Sequence, residues 1–243
     1  VALVRRVMMQ RQLSESACRP FNFQLGLGIP ALLMASLRSP ETPTEFVDRF
    51  LVTCEAYKVP VTIALSKADL QDPSAMAEFR AVYEGAGYRV LEVSATEGVG
   101  VEAVCELLEG RVTLLSGNSG VGKSTLIHAI DPSLDIRTGE ISDSHHKGRH
   151  TTTFSTMYPL AGGGAVIDTP GIKGFGLIDI DDAELWHYFP EMMRVAPECR
   201  FYNCTHTHEP GCAVVEAVRE GKIAYARYES YLKILDEDEK YRK

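Results

Sequence analysis

The sequence predicts an α/β fold in which a parallel sheet is covered by helices on both faces. Strands that are apolar on both faces alternate with helical segments over residues 31–180, a pattern typical of buried parallel strands. A glycine-rich loop at residues 117–124 lies between one such strand and a helix. Cysteines and histidines gather in residues 181–243, which we expect to form a small helical C-terminal domain.

Length and charge narrow the class of protein. The chain has 243 residues, enough for one sizeable α/β core and a small accessory unit. Its formal net charge of -8 argues against a generally basic surface for nucleic acid, so any RNA contact has to rest on a local patch. No apolar run approaches the length of a membrane span, and we therefore expect no membrane partner.

The six cysteines fall into two groups. Cys18, Cys54 and Cys105 are isolated, whereas the other three lie close to histidines near the C-terminus. This division favours a reducing compartment and one metal site over a disulfide framework. We expect a bacterial-type cytoplasm, or an organellar stroma or matrix if a targeting segment precedes Val1.

The elements follow from the hydrophobic pattern. Residues 1–30 show no sustained period. Continuous apolar runs then predict strands at residues 31–37, 60–65, 90–93, 112–115 and 165–167. Apolar residues at helical spacing predict helices that begin near Thr44, Ser74 and Thr125, and others at residues 101–108, 214–219 and 223–235. Thr44 or its neighbour, and Ser74, are expected to cap their helices.

The glycine-rich loop fits the phosphate-binding pattern G-x-x-x-x-G-K-[ST]. Its residues are Gly117, Asn118, Ser119, Gly120, Val121, Gly122, Lys123 and Ser124, and Thr125 opens the helix that follows. Glycines let the backbone wrap a phosphate closely, and the free N–H groups of the helix face the anion. We expect Lys123 to reach the terminal phosphates during catalysis and Ser124 to ligate Mg²⁺.

Two further segments predict that the base is guanine. Ser66-Lys67-Ala68-Asp69 resembles the GTPase motif Asn-Lys-x-Asp, and the Asp69 carboxylate can accept two hydrogen bonds from guanine that adenine does not offer. The stem of Lys67 is expected to pack on the ring. Ser66 is shorter than the usual asparagine, which predicts weaker guanine affinity. Ser94 and Ala95 begin the companion loop, in which a backbone amide meets the guanine carbonyl oxygen.

The sequence also predicts a magnesium site with a γ-phosphate sensor. Asp168-Thr169-Pro170-Gly171 fits Asp-x-x-Gly, in which Asp168 holds Mg²⁺ through water and the Gly171 amide contacts the γ-phosphate. Thr151 and Thr152 are candidates for the threonine that closes over the ion, and we favour Thr152.

The catalytic residue is the least determined part of the site. Ile172 stands where GTPases commonly carry a water-orienting glutamine. His150, beside the candidate magnesium-binding threonines, is the side chain that we expect to orient the water instead. An ordinary loop histidine is the alternative.

A fourth motif predicts a metal centre. Cys199, Cys204, His206 and Cys212 supply three thiolates and one imidazole, a set suited to one structural Zn²⁺ ion. His208 is an alternative to His206. The metal would supply much of the folding energy of so small a domain.

The motifs occur in an unusual order, because the base-reading segments precede the phosphate loop. This order predicts a circularly permuted P-loop GTPase, an arrangement that keeps the sheet and the site and moves the chain ends. The permuted order, the run Gly148-Arg149-His150-Thr151-Thr152-Thr153 and the cysteine and histidine spacing together resemble the ribosome-small-subunit-dependent GTPase A family.

That resemblance implies a GTP hydrolase that acts late in maturation of the small ribosomal subunit and is stimulated by it. Its expected partners are GTP or GDP and the subunit with its rRNA, bound by a monomer that carries Mg²⁺ and one structural Zn²⁺. It also implies an N-terminal OB-fold barrel that binds RNA. Thirty residues cannot make a five-stranded barrel, so residues 1–30 would be a remnant of it, a truncation, or pieces of a disordered domain. The expected domains are thus residues 1–30, 31–180 and 181–243.

Two alternatives stay open at this point. A GTP-binding assembly scaffold with negligible hydrolysis is favoured by Ile172. An ATP-using P-loop enzyme is favoured by Ser66.

Overall fold

The computed structural model describes residues 29–134, 156–168 and 180–241, with side chains to residue 236. Six strands are present in these ranges: β1 Ala31–Ala35, β2 Val61–Ser66, β3 Arg89–Val93, β4 Val112–Gly117, β5 Thr156–Pro159 and β6 Ala165–Asp168. They form one sheet in the order β3-β2-β1-β4-β6-β5. The predicted α/β class, with strands and helices alternating, is confirmed.

The centre of the sheet is parallel, as the apolar runs predict. Strand β1 pairs in parallel with β2 and with β4, and β4 pairs in parallel with β6. All five residues of β1 are buried, as expected for a strand flanked by neighbours on both sides. The carboxyl ends of β2 and β4 therefore lie at the same edge of the sheet, where functional loops are expected.

The sequence analysis missed β5, which pairs antiparallel with β6 at the edge of the sheet. A strand of four residues is too short to show a hydrophobic period, and only its pairing with β6 defines it. Pro159 lacks a backbone donor, and an edge position tolerates it.

Seven α-helices lie in the described residues: α1 Thr44–Ala56, α2 Pro73–Ala86, α3 Val101–Leu108, α4 Lys123–Ile130, α5 Pro190–Val195, α6 Ala213–Arg219 and α7 Tyr225–Tyr241. Short 3₁₀ helices occupy Ala68–Leu70, Leu185–Tyr188 and Ala196–Glu198. No helix within these ranges combines the length and the apolarity needed to span a membrane.

The expected cap of α2 was wrong by two residues. Asp72, not Ser74, precedes the helix, and its carboxylate accepts a hydrogen bond from the Ser74 backbone N–H at 2.8 Å. Pro73 takes the first helical position, where its missing N–H costs nothing. At α1, Pro43 precedes the helix and no side chain caps it.

Helix α7 continues six residues beyond its predicted end at residue 235. The prediction stopped at the last apolar residue, Leu235. The polar run that follows is rich in residues with high helix propensity, so the helix continues where the apolar stripe has ended.

The described chain forms two compact units. Unit 1 contains residues 29–42, 59–71, 91–134 and 156–168, and unit 2 contains residues 43–58, 72–90 and 180–241. The core of unit 1 includes Leu32, Met34, Leu115, Leu126 and Val166. The core of unit 2 includes Val52, Phe189, Met192, Val214 and Tyr231. Residues 1–28 lie outside the described ranges, and the predicted domain boundaries stay predictions.

Candidate nucleotide site and metal centre

The phosphate loop runs from the end of β4 into α4. Gly117 has a φ of 147°, and a Cβ there would lie 2.5 Å from the carbonyl oxygen of Met34. Gly122, at a φ of 105°, directly precedes α4. Both conformations favour glycine, and the first also leaves no room for a side chain. The loop therefore brings bare backbone to the N-terminus of a helix, the arrangement that binds anions.

Lys123 lies over this loop. Its Nζ donates hydrogen bonds to the carbonyl oxygens of Gly117 at 2.7 Å and Asn118 at 3.1 Å. Burial lowers the pKa of Lys123, and the nearby Asp168 carboxylate opposes that shift. Phosphate oxygens would supply more negative charge and raise this pKa, so an anion and the ammonium group would stabilise each other.

The base-reading segments line a cavity of about 180 Å³. Ser66, Lys67, Asp69, Ala95 and Thr96 are on its wall, together with residues of the phosphate loop and α4: Val121, Gly122 and Thr125. The Asp69 carboxylate accepts a hydrogen bond of 2.5 Å from the Ser94 hydroxyl. The structure thus brings both predicted base-reading segments to the phosphate loop.

Ser66 has a structural role that the sequence analysis did not anticipate. Only 3% of it is exposed, and its hydroxyl donates a hydrogen bond of 2.8 Å to the Val121 carbonyl. Ser66 therefore joins the base-reading loop to the phosphate loop. The short side chain of serine suffices to reach the Val121 carbonyl. Weaker guanine affinity stays a prediction.

Lys67 makes a second connection between loops. Its backbone is left-handed, with a φ of 54°. Its Nζ donates to the carbonyl oxygen of Gly120 at 2.9 Å and also to that of Ser39 in the loop after β1. Three loops therefore meet at one ammonium group, next to the cavity.

The residues present fit a magnesium ion. Asp168 ends β6, and its buried Oδ1 has no hydrogen-bond partner among the described residues. Burial raises the pKa of Asp168, and Lys123 opposes the shift. An unpartnered carboxylate oxygen suits a hydrated divalent cation, and Ser124 follows Lys123 on α4. Thr151, Thr152, Gly171 and His150 lie outside the described residues, so their predicted roles stay predictions.

The four predicted metal ligands come together in unit 2. The ligand atoms of Cys199, Cys204, His206 and Cys212 all lie within 4.8 Å of one another. His206 Nδ1 is 3.6 Å from Cys199 Sγ and 3.5 Å from Cys212 Sγ, and the two sulfur atoms are 4.0 Å apart. Usual Zn–S and Zn–N bond lengths give tetrahedral edges of about 3.6 Å (S–N) and about 3.8 Å (S–S).

His208 is not part of this group. Its Nδ1 is 2.8 Å from the Thr207 hydroxyl, and its side chain is exposed. Of the two candidate histidines, the structure therefore places His206 with the cysteines.

Hydrogen bonds fix the conformation of the metal-binding loop, residues 199–212. The Glu209 carboxylate accepts bonds from the Thr205 N–H at 2.7 Å and the Thr207 N–H at 3.2 Å. Although burial opposes ionisation, a hydrogen bond of 2.6 Å from the Thr205 hydroxyl, together with these N–H bonds, lowers the pKa of Glu209. Two hydroxyls of α7 donate to loop carbonyls: Tyr228 to His206 at 2.8 Å and Tyr231 to Thr205 at 2.6 Å. The cluster is thus supported by α7 as well as by its own loop.

Sequence analysis missed a buried group of charges beside this region. Arg227 of α7 donates to Asp48 of α1 and to Glu191 of α5, at 2.6 Å each, and all three side chains are 1% to 3% exposed. A signal was present, because Arg227 shares one helix face with Tyr231 and Ile234, both buried. A charge on an apolar face indicates a buried partner.

Comparisons with known proteins agree with this geometry. The family model of RsgA GTPase matches residues 30–178. The chain is 51% identical over 216 residues to "Small ribosomal subunit biogenesis GTPase RsgA 2" of Bacteroides thetaiotaomicron, covering 87% of this chain and 70% of that one. It is 52% identical over 220 residues to the "Small ribosomal subunit biogenesis GTPase RsgA" of Porphyromonas gingivalis, with the same coverage.

Two solved structures resemble it as well. YjeQ from Thermotoga maritima aligns with a TM-score of 0.73 and 36% identity, over 86% of this chain and 71% of that one. YloQ, described as a circularly permuted GTPase, aligns with a TM-score of 0.70 and 28% identity, over 89% and 69%. The predicted permuted fold is confirmed, and the chain belongs to the RsgA GTPase family.

Proposed function

We propose that the chain is a Mg²⁺-dependent GTPase that serves as a switch in late maturation of the small ribosomal subunit. The observation that carries this proposal is the cavity lined by Asp69, Ala95 and the phosphate loop, because a group suited to guanine and a loop suited to phosphate lie on one cavity. The printed names of the relatives support the biological setting.

Each residue of the site has one proposed task. Asp69 accepts the two guanine donors, Lys67 packs on the purine ring, and the loop amides with Lys123 hold the phosphates. Ser124 and Asp168 hold the ion, with Thr152 closing over it. Magnesium, when bound, neutralises the charge on the β- and γ-phosphate oxygens.

Hydrolysis needs a positioned water, and we assign that role to His150, since Ile172 offers no polar group. GTP would order the segments that contain Thr152 and Gly171, and hydrolysis would release them. His150→Ala is expected to lower turnover at unchanged GTP affinity, whereas unchanged turnover would remove His150 from the mechanism.

The metal centre has a structural task in this proposal. One Zn²⁺ ion bound by Cys199, Cys204, His206 and Cys212 would stabilise unit 2 for docking on the rRNA of the subunit. We propose that the chain acts as a monomer, in the compartment where those subunits are assembled.

The test is GTP turnover by the purified chain, with and without small ribosomal subunits. Lys123→Ala serves as the blank. Strong stimulation supports the switch. Tight GTP binding without stimulated turnover would point to a scaffold, and equal use of ATP would point to a different P-loop enzyme.

A further inference from the structure

The loop after β1, residues 36–42, is fixed by buried polar contacts although nothing in its sequence marks a site. The Ser36 N–H donates to the Thr42 hydroxyl at 3.0 Å, and the Thr42 N–H donates to the Ser36 carbonyl at 2.7 Å. The Ser36 hydroxyl donates to the Arg38 carbonyl at 2.6 Å. Ser36 and Thr42 are both buried. The loop is therefore closed on itself and held in one shape.

Gln71 joins this loop to the base-reading loop. Its Nε2 donates to the Ser36 hydroxyl at 3.1 Å and to the Ser66 carbonyl at 3.2 Å, and only 8% of the residue is exposed. A buried carboxamide with both of its donors used is a rigid connection, because losing either bond leaves a buried polar group without its partner.

The two loops that Gln71 connects are those that hold Lys67. Lys67 belongs to the base-reading loop, and one of the carbonyls that it contacts, that of Ser39, belongs to the loop after β1. The other, that of Gly120, lies in the phosphate loop. Lysine has a long and flexible side chain. The position of the Lys67 side chain at the cavity therefore depends on the positions of these two carbonyl groups.

We propose that Gln71 is a positioning residue for guanine-nucleotide binding, and that it acts through Lys67. By fixing the Ser39 carbonyl relative to the base-reading loop, Gln71 keeps the Lys67 stem beside the cavity, where it covers the purine ring. This inference rests on the proposed function, since it concerns the same nucleotide site. Gln71 itself touches no nucleotide.

The test is a double-mutant cycle between Gln71→Met and Lys67→Ala. Methionine keeps the length of glutamine and removes both donors. The measured quantity is the dissociation rate of fluorescently labelled GDP. We expect Gln71→Met to raise this rate about tenfold in the wild-type background and less than twofold in the Lys67→Ala background. Equal effects in both backgrounds would overturn the proposal, because they would show that Gln71 acts independently of Lys67.

Asp72→Ala is the matched control. It removes the cap of α2 one residue away, so it should lower the melting temperature and leave the GDP dissociation rate unchanged. If Gln71→Met fails to fold, Ser36→Ala removes one partner of Gln71 and enters the same cycle, with a smaller effect of about threefold.

The outcomes separate this inference from the proposed function. A wild-type chain that binds no guanine nucleotide overturns both. A wild-type chain that binds GDP, with a Gln71→Met variant that releases GDP at the wild-type rate, overturns the role of Gln71 alone.

Discussion

The nucleotide site of unit 1 and the charged interior of unit 2 differ in what faces their buried charged groups. In unit 1, the buried Oδ1 of Asp168 has no hydrogen-bond partner among the described residues, and Lys123 is held by backbone carbonyls. In unit 2, Arg227 donates hydrogen bonds to two carboxylates, although Asp48 Oδ2 and His206 Nε2 have no hydrogen-bond partner among the described residues, and the four metal-ligand atoms face one another. The first site is suited to a ligand that binds reversibly, and the second to permanent contacts.

The difference has an energetic cause. An unpartnered polar atom in the interior destabilises the protein. A ligand that supplies the missing partner therefore adds the most stability at such a site. A buried cation that already faces carboxylates has little to gain from a ligand, and removing it leaves uncompensated buried charge. Changes in unit 2 should therefore appear as lost stability, and changes in unit 1 as lost binding or turnover.

Removing the metal should have the largest effect. Structural Zn²⁺ contributes on the order of 10 kcal/mol to the folding of small metal-binding domains. A zinc-selective chelator, with Mg²⁺ resupplied, is expected to lower the melting temperature of unit 2 by more than about 10 °C. Trp186 is the single tryptophan of the chain and lies 4.8 Å from the His206 ring, so its fluorescence reports the transition. Folded protein without bound metal would contradict the prediction.

Breaking the charge group should come next. Arg227→Met leaves Asp48 and Glu191 buried without their cation, which is expected to lower the free energy of unfolding by about 3–5 kcal/mol. Urea titration followed by fluorescence measures this loss. Arg219→Met is the control, because Arg219 pairs with Glu216 on the exposed side of α6 and should change stability little. Similar losses for both variants would show that burial of Arg227 is not the cause.

A change in the phosphate loop should leave stability almost intact and remove activity. Lys123→Ala is expected to lower GTP turnover by about 10²–10³-fold, since the ammonium group offsets charge on the phosphates. Single-turnover assays measure the loss, and the exposed Lys222→Ala variant is the control. A large fall in melting temperature would contradict the division between the two units.

The smallest expected effect is a change of specificity. Asp69→Asn replaces a group that only accepts hydrogen bonds by one that also donates, which suits xanthine and not guanine. We expect GTP to bind about 10-fold to 100-fold more weakly and XTP to bind more tightly than to the wild type. Competition binding with both nucleotides measures the exchange. Unchanged GTP affinity would remove Asp69 from the site.

Short motifs were the part of this molecule that the sequence predicted best. The phosphate loop and the four metal ligands each lie within one short stretch of sequence. The spacing of the residues alone therefore indicates which of them lie together in the structure. The alternation of apolar runs likewise predicted the parallel sheet, because burial on both faces leaves that pattern in each strand.

Contacts between distant residues escaped prediction. Arg227 and Asp48 are 179 positions apart, and Gln71 meets Ser36 across 35. No local sequence pattern predicts which distant residues pair. A charge on an apolar helix face indicates only that a buried partner exists. The cap of α2 failed for a different reason, because Asp72 and Ser74 both suit the position and only backbone geometry decides between them.

Unit 2 is assembled from three separate segments, and this limits how the protein can be divided by truncation. A fragment that starts at residue 181 would include all four metal ligands, yet it would lack Asp48 and the core residue Val52. Arg227 would lose one of its two carboxylates, and an apolar surface would face water. A single truncation therefore does not yield an intact unit 2. Any minimal version of this unit has to include helices α1 and α2.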